Sequence, residues 1–202
     1  MTHGPVQDVS HLPSVAFGHR MPIWWGTLGF MVIEGTGFVM AVAAYFYLAS
    51  QNPDWPQNNP PPSLLWGSLL AVFLLATELP NVWIKRAAKH MDLDRVRLLI
   101  LLMAALGLVA VGIRALEFTT LNTRWDTNPY GSIVWALVVL HTMHIVTDVA
   151  ETCVMAAMAW VGPFDARRFV DVDENAEYWD FVVLTWIPIY AVLYWAPRWM
   201  AP

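Results

Sequence analysis

Five stretches of this chain are long, apolar and almost free of charge. Each is close to the roughly 20 residues that an α-helix needs to cross the hydrocarbon core of a membrane. Short polar connectors separate them, and the Pro/Asn-rich 51-QNPDWPQNNPPPS-63 is unsuited to helix. We therefore predict an all-α, polytopic membrane protein, a bundle of five transmembrane helices. The predicted spans cover residues 23–48, 64–84, 96–118, 132–161 and 178–195.

The composition agrees with a membrane location. Of the 202 residues, 57% are hydrophobic and only 13% are charged, whereas soluble domains carry about 25% charged residues. Residues 1–22 form a polar segment without the basic start and apolar core of a signal peptide. This leaves residues 23–202 as a single membrane domain. The single cysteine, Cys153, excludes an internal disulfide and a Cys-rich metal site.

The distribution of Lys and Arg predicts the orientation, because short cytoplasmic loops of membrane proteins carry an excess of both. With the N-terminus cytoplasmic, eight of the 11 basic residues lie on the cytoplasmic side and two lie outside. We therefore predict that the N-terminus is cytoplasmic and that the C-terminus is outside.

Ionisable side chains within a span are costly and are therefore candidates for function. Glu34 lies near the middle of the first span, on a face that also carries Phe38, Gly37 and Ala41. Small residues on such a face allow a second helix to approach closely. Glu34 is a neutral interhelical hydrogen-bonding group on one interpretation and a proton or lipid site on the other.

The fourth span carries four titratable residues within 141-HTMHIVTDVAET-152. At about 100° per residue, His141, His144, Asp148 and Glu151 fall within an arc of roughly 80°. Imidazoles and carboxylates are plausible metal ligands, but this spacing matches no metal motif with a known mechanism. We therefore expect a hydrogen-bonded polar seam between helices and assign no metal.

Three further ionisable residues lie nearer the ends of spans. Arg114 and Glu117 are three residues apart on one helix, which suits a structural ion pair. Glu78 precedes Pro80, where a kink would free backbone groups. We include Glu78 in the polar seam of the fourth span.

Taken in order, five groups of residues resemble subunit III of the haem–copper terminal oxidases. They are 25-WGTLGFMVIEGTGFVMAVAAYFYL-48, 114-RALEF-118, 129-PYGSIVW-135, 141-HTMHIV-146, and 178-YWDFVVLTW-186 with 190-YAVLYW-195. The likeness covers about residues 22–196. The number and the predicted orientation of the spans match the short, five-helix bacterial form of cytochrome c oxidase subunit III.

The resemblance implies a subunit of an oxidase complex that is not itself catalytic. In this family subunit III binds no haem and no copper, which lie in partner subunits of a proton-translocating oxygen reductase. It packs directly against subunit I, in a complex with subunit II and other small subunits, and supports proton uptake and active-site integrity during aerobic electron transport. The long form also holds phospholipid in a cleft. The implied location is the bacterial cytoplasmic (inner) membrane. The implied partners include membrane lipids, and no nucleic acid is expected among them.

The motif positions of the family fall on residues already singled out. The mid-membrane Glu corresponds to Glu34, the His-x-x-His to His141 and His144, and the span-end Glu to Glu117. The histidines therefore resemble packing residues, and Glu34 becomes the expected buried functional carboxyl.

Four residues depart from the family pattern. Asp180 stands where the family usually has His, Val183 stands where it usually has Asp, and Asp148 and Glu151 have no counterpart. These departures favour one alternative, a related accessory membrane protein of nitric oxide reduction. A second alternative is a metal-dependent membrane enzyme, or a proton-coupled transporter, whose site would combine Glu34, Glu78, His141, His144, Asp148 and Glu151.

Overall fold

A computed structural model describes residues 15–200 as a bundle of helices, without a strand in that range. A short 3₁₀ turn, Gly18–Arg20, precedes the first helix. The helices are α1 (Pro22–Gln51), α2 (Leu64–Lys89), α3 (Leu93–Phe118), α4 (Pro129–Val161) and α5 (Ala166–Tyr190). The last helix continues through a π-turn, Ala191–Trp195, into α6 (Ala196–Met200). Five helices are long and apolar enough to cross a membrane, which confirms the predicted number of spans.

Side-chain caps fix three of the helix starts, and Asp92 caps that of α3 by accepting from the Arg95 N–H at 3.2 Å. The Asn128 side chain accepts a hydrogen bond from the Gly131 backbone N–H at 2.7 Å, and Pro129 occupies the first helical position of α4. The Asp165 side chain accepts one from the Arg168 N–H at 3.2 Å and starts α5. This start lies well before residue 178, where hydropathy placed it, because the first three turns of α5 mix acidic residues with buried apolar ones.

Four of the helices form the compact part of the bundle. Helix α2 packs against α3 and α5, and α4 packs against the same two helices from the other side. Helix α1 lies across α4 and α5 and is covered much less. Only 6% of its most apolar 18-residue stretch is buried inside the protein. Its loose packing leaves open grooves on both sides of α1.

The bundle is closely packed at Gly67, where α2 passes the ring of Tyr194. A Cβ at position 67 would overlap that ring, which is fully buried and hydrogen-bonded to Glu117. Glycine is therefore required here for the two helices to meet. We expected this role for Gly37, but a Cβ added there would have no atom of the described residues within 4 Å. A Cβ added at Gly35 would instead lie 3.6 Å from the Phe181 ring.

Replacement of Gly67 by Ala should destabilise the protein, because the buried Tyr194 ring cannot move without breaking its hydrogen bond. Overpacking of this kind typically costs about 1–3 kcal/mol. Gly112→Ala is the matched control, since Gly112 is also helical and has nothing within 4 Å of the added methyl group. Thermal unfolding in mild detergent should show a lower melting temperature for Gly67→Ala only. Equal melting temperatures for the two variants would contradict this packing.

Candidate functional site

Glu34 joins three helices at the middle of α1. The Tyr178 hydroxyl of α5 donates a hydrogen bond to Glu34 Oε2 at 2.7 Å. His144 of α4 places its Nε2 3.4 Å from Glu34 Oε1. The Glu34 side chain is 18% exposed and the His144 side chain 11%. Because α1 is otherwise loosely covered, these two contacts are specific anchors of the helix.

The ring of His144 is oriented by its other nitrogen. Nδ1 lies 2.7 Å from the Leu140 carbonyl oxygen, and a carbonyl can only accept, so Nδ1 carries a proton. His144 is therefore oriented so that its Nε2 faces the carboxyl group of Glu34.

Aromatic rings enclose the Glu34 pair. The Phe38 ring packs on His144 with 4.7 Å between centroids, and Phe30 stacks on Tyr178 at 5.9 Å. These contacts restrict the rotamers of both partners of Glu34 and hold their polar atoms in place.

A cleft of about 720 Å³ opens beside Glu34, between α1, α4 and α5. We call it the acidic cleft, because its lining includes five carboxyl groups and a single cation, Arg168. These carboxyl groups belong to Glu34, Asp148, Glu151, Asp171 and Glu174. The cleft starts near Ile23, Met158 and Arg168, at the end of the bundle that we predict to be cytoplasmic, and reaches Glu34 in the middle of α1.

Asp148 lies in the wall of the acidic cleft and is only 2% exposed. The Asn175 amide donates to Asp148 Oδ1 at 3.2 Å, and Thr152 in turn donates to the Asn175 oxygen at 3.0 Å. Asp148 Oδ2 has no hydrogen-bond partner among the described residues. One oxygen of the Asp148 carboxyl group is therefore hydrogen-bonded to α5, and the other has no partner among the described residues.

A second, closed polar network surrounds Arg114. Its Nη1 donates to Glu117 Oε2 at 2.7 Å, and Tyr194 donates to the other oxygen of Glu117. Its Nη2 lies 2.7 Å from His141 Nδ1. Arg114, Glu117, His141 and Tyr194 are each 1% exposed or less. The Arg114 network therefore links α3, α4 and the end of α5 without contact with solvent.

The guanidinium group of Arg114 fixes the protonation of His141. Arginine can only donate, so Nδ1 of His141 must accept and the ring is the neutral Nε2–H tautomer. Nε2 then donates to the Val182 carbonyl at 3.0 Å. The Trp186 ring covers the guanidinium at 4.0 Å, a cation–π contact. Because every strong hydrogen-bonding position of His141 is used, the residue suits packing and not proton exchange.

Asp180 belongs to a third polar group, on the side of α5 that faces α2. Lys85 forms an ion pair with Asp180, and the Asn81 amide donates to Asp180 Oδ1 at 2.6 Å. Glu78 faces this group, and its Oε1 is buried without a partner among the described residues. Glu78 therefore lies beside Asp180. We had assigned Glu78 to the polar seam of α4, and the structure does not place it with those residues.

The six residues considered for one metal or transport site thus occupy separate places. Glu34 and His144 pair with each other, His141 belongs to the Arg114 network, and Glu78 faces Asp180. Asp148 and Glu151 line the acidic cleft. Within residues 15–200, no three His, Cys, Asp or Glu side chains are grouped as metal ligands would be.

Sequence reasoning missed three residues of the site. Tyr178, Glu174 and Asn175 all lie on α5, in or next to the polar turns that hydropathy assigned to a loop. The available signal was the N-cap Asp165 followed by a helical pattern of buried residues, which extends α5 backwards and places Glu174 and Tyr178 four residues apart on one face.

Breaking the Arg114 network on one side only should be costly. Arg114→Met leaves Glu117 buried and unpaired, a change that typically costs about 3–5 kcal/mol. The double variant Arg114→Met/Glu117→Met should recover much of that loss, because no unpaired charge remains. Resistance to denaturation in mixed micelles would measure the coupling between the two positions. Additive losses in the double variant would show that the pair does not interact as described.

Comparison with known proteins gives one consistent result. No protein-family model matches the chain. It is 23% identical over 197 residues to cytochrome c oxidase subunit 3 of Thermostichus vulcanus, covering 95% of the chain and 96% of that protein. It is also 23% identical to cytochrome c oxidase subunit 3 of Tachyglossus aculeatus aculeatus, over 81% of the chain and 66% of that protein. The subunit 3 of Ornithorhynchus anatinus is likewise 23% identical, over 85% of the chain and 68% of that protein.

These similarities and the five apolar helices agree with the motifs quoted above. Over nearly its whole length, this multi-pass membrane protein resembles the subunit III family of the haem–copper oxidases.

Proposed function

We propose that the chain is the non-catalytic subunit III of a proton-translocating haem–copper oxygen reductase in a bacterial cytoplasmic membrane. Haem and copper belong to partner subunits in this proposal, and the chain itself supports proton uptake and active-site integrity. The observation that carries it is the whole-length similarity to cytochrome c oxidase subunit 3, combined with the Glu34–His144 pair at the end of an acidic cleft.

Packing against subunit I is supported by the exposure of α1. Ile33, Val39 and Met40 are 67% to 73% exposed on this helix, although α1 is apolar along its whole length. Within the part of the chain that the structure describes, Gly29 and Gly37 have no atom within 4 Å of an added Cβ, so a partner helix has room to approach α1 closely. We therefore propose that α1 contributes to the contact with subunit I.

A bound phospholipid is better suited to the groove on the other side of α1. This groove, about 750 Å³ between α1, α2 and α5, has walls formed by Leu28, Val32 and Leu184. Arg86 and Lys89 lie at its predicted cytoplasmic end. Apolar walls suit an acyl chain, and two cations at the depth of the headgroups suit a lipid phosphate.

The alternative role in nitric oxide reduction loses part of its motivation. Asp180, one of the departures behind it, has structural partners in Lys85 and Asn81. Asp148 has one in Asn175. Residues that are explained by contacts within the chain give no reason to assign a different branch, and we retain the oxidase proposal.

A mild-detergent pull-down of the tagged chain from its own membranes tests the complex. We expect oxidase subunits I and II in the eluate, together with the haem absorption bands that they carry. Lipid analysis of the same eluate should show retained phospholipid, and Arg86→Gln with Lys89→Gln should reduce its amount. A colourless eluate without oxidase subunits would refute the proposal, and nitric oxide reductase subunits in their place would favour the alternative.

Substitution of Glu34 tests its place in the assembly. Glu34→Gln should assemble almost normally, because an amide oxygen still accepts from Tyr178 and the amide nitrogen can donate to His144. Glu34→Lys should reduce assembly strongly, because it loses both contacts and places a charge within the span. Asp94→Lys is the control, because it makes the same change of charge at an exposed residue in the first turn of α3. Native gels would measure the amount of complex, and normal assembly of Glu34→Lys would contradict the buried anchor.

A further inference from the structure

A separate recess of about 550 Å³ lies at the hairpin between α2 and α3. We call it the hairpin recess, because every residue that lines it belongs to these two helices or to the turn between them. Three of its side chains can donate hydrogen bonds to an anion, Arg86, His90 and Arg95, and one is a carboxylate, Asp92. It shares Arg86 with the groove beside α1 and has no other residue in common with that groove.

The hairpin recess runs from the membrane surface towards the membrane interior. Residues 90–92 connect two helices that are each long and apolar enough to span, so this turn lies at a surface, the cytoplasmic one in our predicted orientation. Arg86 is in the last turn of α2 and Arg95 is the third residue of α3. Trp83 and Leu98, both exposed, line the recess about one helical turn deeper. The recess therefore has a cationic end at headgroup depth and an apolar wall at acyl-chain depth.

The guanidinium group of Arg86 is not neutralised by a neighbouring carboxylate. Its two basic neighbours on α2 both have acidic partners on α5, since Lys85 pairs with Asp180 and Lys89 lies 3.4 Å from Asp173. Arg86 has no ion-pair partner among the described residues, and its side chain is exposed. Its charge is therefore available to a ligand in the recess.

Arg95 is only weakly neutralised. It lies in the first turn of α3, where the helix dipole disfavours a cation. Within residues 15–200 its carboxylate partner is Asp92, at 3.0 Å from Nε, but the Arg95 side chain is 78% exposed, and such surface pairs contribute little. Two guanidinium groups against one carboxylate leave the hairpin recess with a net positive charge.

We infer that the hairpin recess binds one anionic phospholipid, with its phosphate held by Arg86 and Arg95 and an acyl chain against Trp83 and Leu98. A guanidinium group can bind a phosphate through two parallel hydrogen bonds, and a tryptophan at this depth suits the boundary between headgroups and acyl chains. The two guanidinium groups would repel a headgroup amine, so phosphatidylglycerol suits the recess better than phosphatidylethanolamine. The inference goes beyond the proposed function, because the recess is complete without a partner subunit.

Native mass spectrometry of the tagged chain, with the subunits that accompany it, tests this binding by titration with phosphatidylglycerol. The Lys89→Gln background weakens the groove beside α1 without changing the hairpin recess, which Lys89 does not line. In that background Arg95→Gln should raise the dissociation constant about fivefold, the contribution of one basic residue near a lipid surface. Arg167→Gln is the matched control, because it removes an equal charge from an exposed residue that lies on the predicted cytoplasmic side and outside the recess.

The variant Asp92→Asn separates a binding role from a structural one. Asparagine is as good an N-cap as aspartate, so the start of α3 is kept, while Arg95 is released from its ion pair. Binding of phosphatidylglycerol should therefore become tighter in Asp92→Asn and weaker in Arg95→Gln. An ion pair that served only the fold would give no tighter binding in either variant.

Four results would overturn the inference. They are equal affinity for phosphatidylglycerol and phosphatidylethanolamine, an equal effect of Arg95→Gln and Arg167→Gln, weaker binding in Asp92→Asn, and displacement of the lipid by millimolar inorganic phosphate. The last result would identify a site for free phosphate. A chain that copurifies without oxidase subunits but shows the expected lipid selectivity would refute the proposed function and leave the lipid site intact, so the two failures are distinguishable.

Discussion

The buried ion pair of Arg114 and Glu117 is the interaction on which the packing of three helices depends. In a membrane bundle an unsatisfied polar group has no water to bind, so every donor near the guanidinium needs a partner in the protein. His141 of α4 accepts from Nη2 of Arg114, and Tyr194 of the π-turn after α5 donates to Glu117, whereas Nε of Arg114 has no partner among the described residues. A π-turn is often found where a helix adapts its register to a functional contact, and here it carries the tyrosine that completes the network.

The chain contains two kinds of intramembrane polar site with different consequences. In the Arg114 network each ionised group is matched and solvent is excluded, so the network stabilises one arrangement of helices. Around Glu34 the side chains are partly exposed, and the acidic cleft beside them is lined by five carboxyl groups. Residues that look alike in sequence, His141 and His144, therefore have opposite roles, because one ring is saturated by Arg114 and Val182 and the other faces a carboxyl group.

The sequence predicted the number and approximate limits of the spans, because hydropathy and length alone decide whether a helix can cross a membrane. The spacing of Arg114 and Glu117 was also enough to predict their ion pair, since residues three apart on one helix are neighbours whatever surrounds them. The angular stripe from His141 to Glu151 did not reveal its partners, because an arc of about 80° spans contacts to two different neighbouring helices. Glu174 was missed because the polar first turns of α5 carry buried residues at an unfavourable mean hydropathy, and Tyr178 was missed because its partner Glu34 lies on a different helix.

The loose packing of α1 connects the stability of this protein with its proposed activity. A tightly packed α1 would close the acidic cleft that opens beside Glu34. An α1 held by apolar contacts alone would expose Glu34 to lipid. The hydrogen bond from Tyr178 and the 3.4 Å contact with His144 allow an intermediate arrangement, in which α2 to α5 supply the stable core and α1 is attached through Glu34. The least covered helix therefore carries the residue with the clearest chemistry, as is common for elements that take part in exchange with their surroundings.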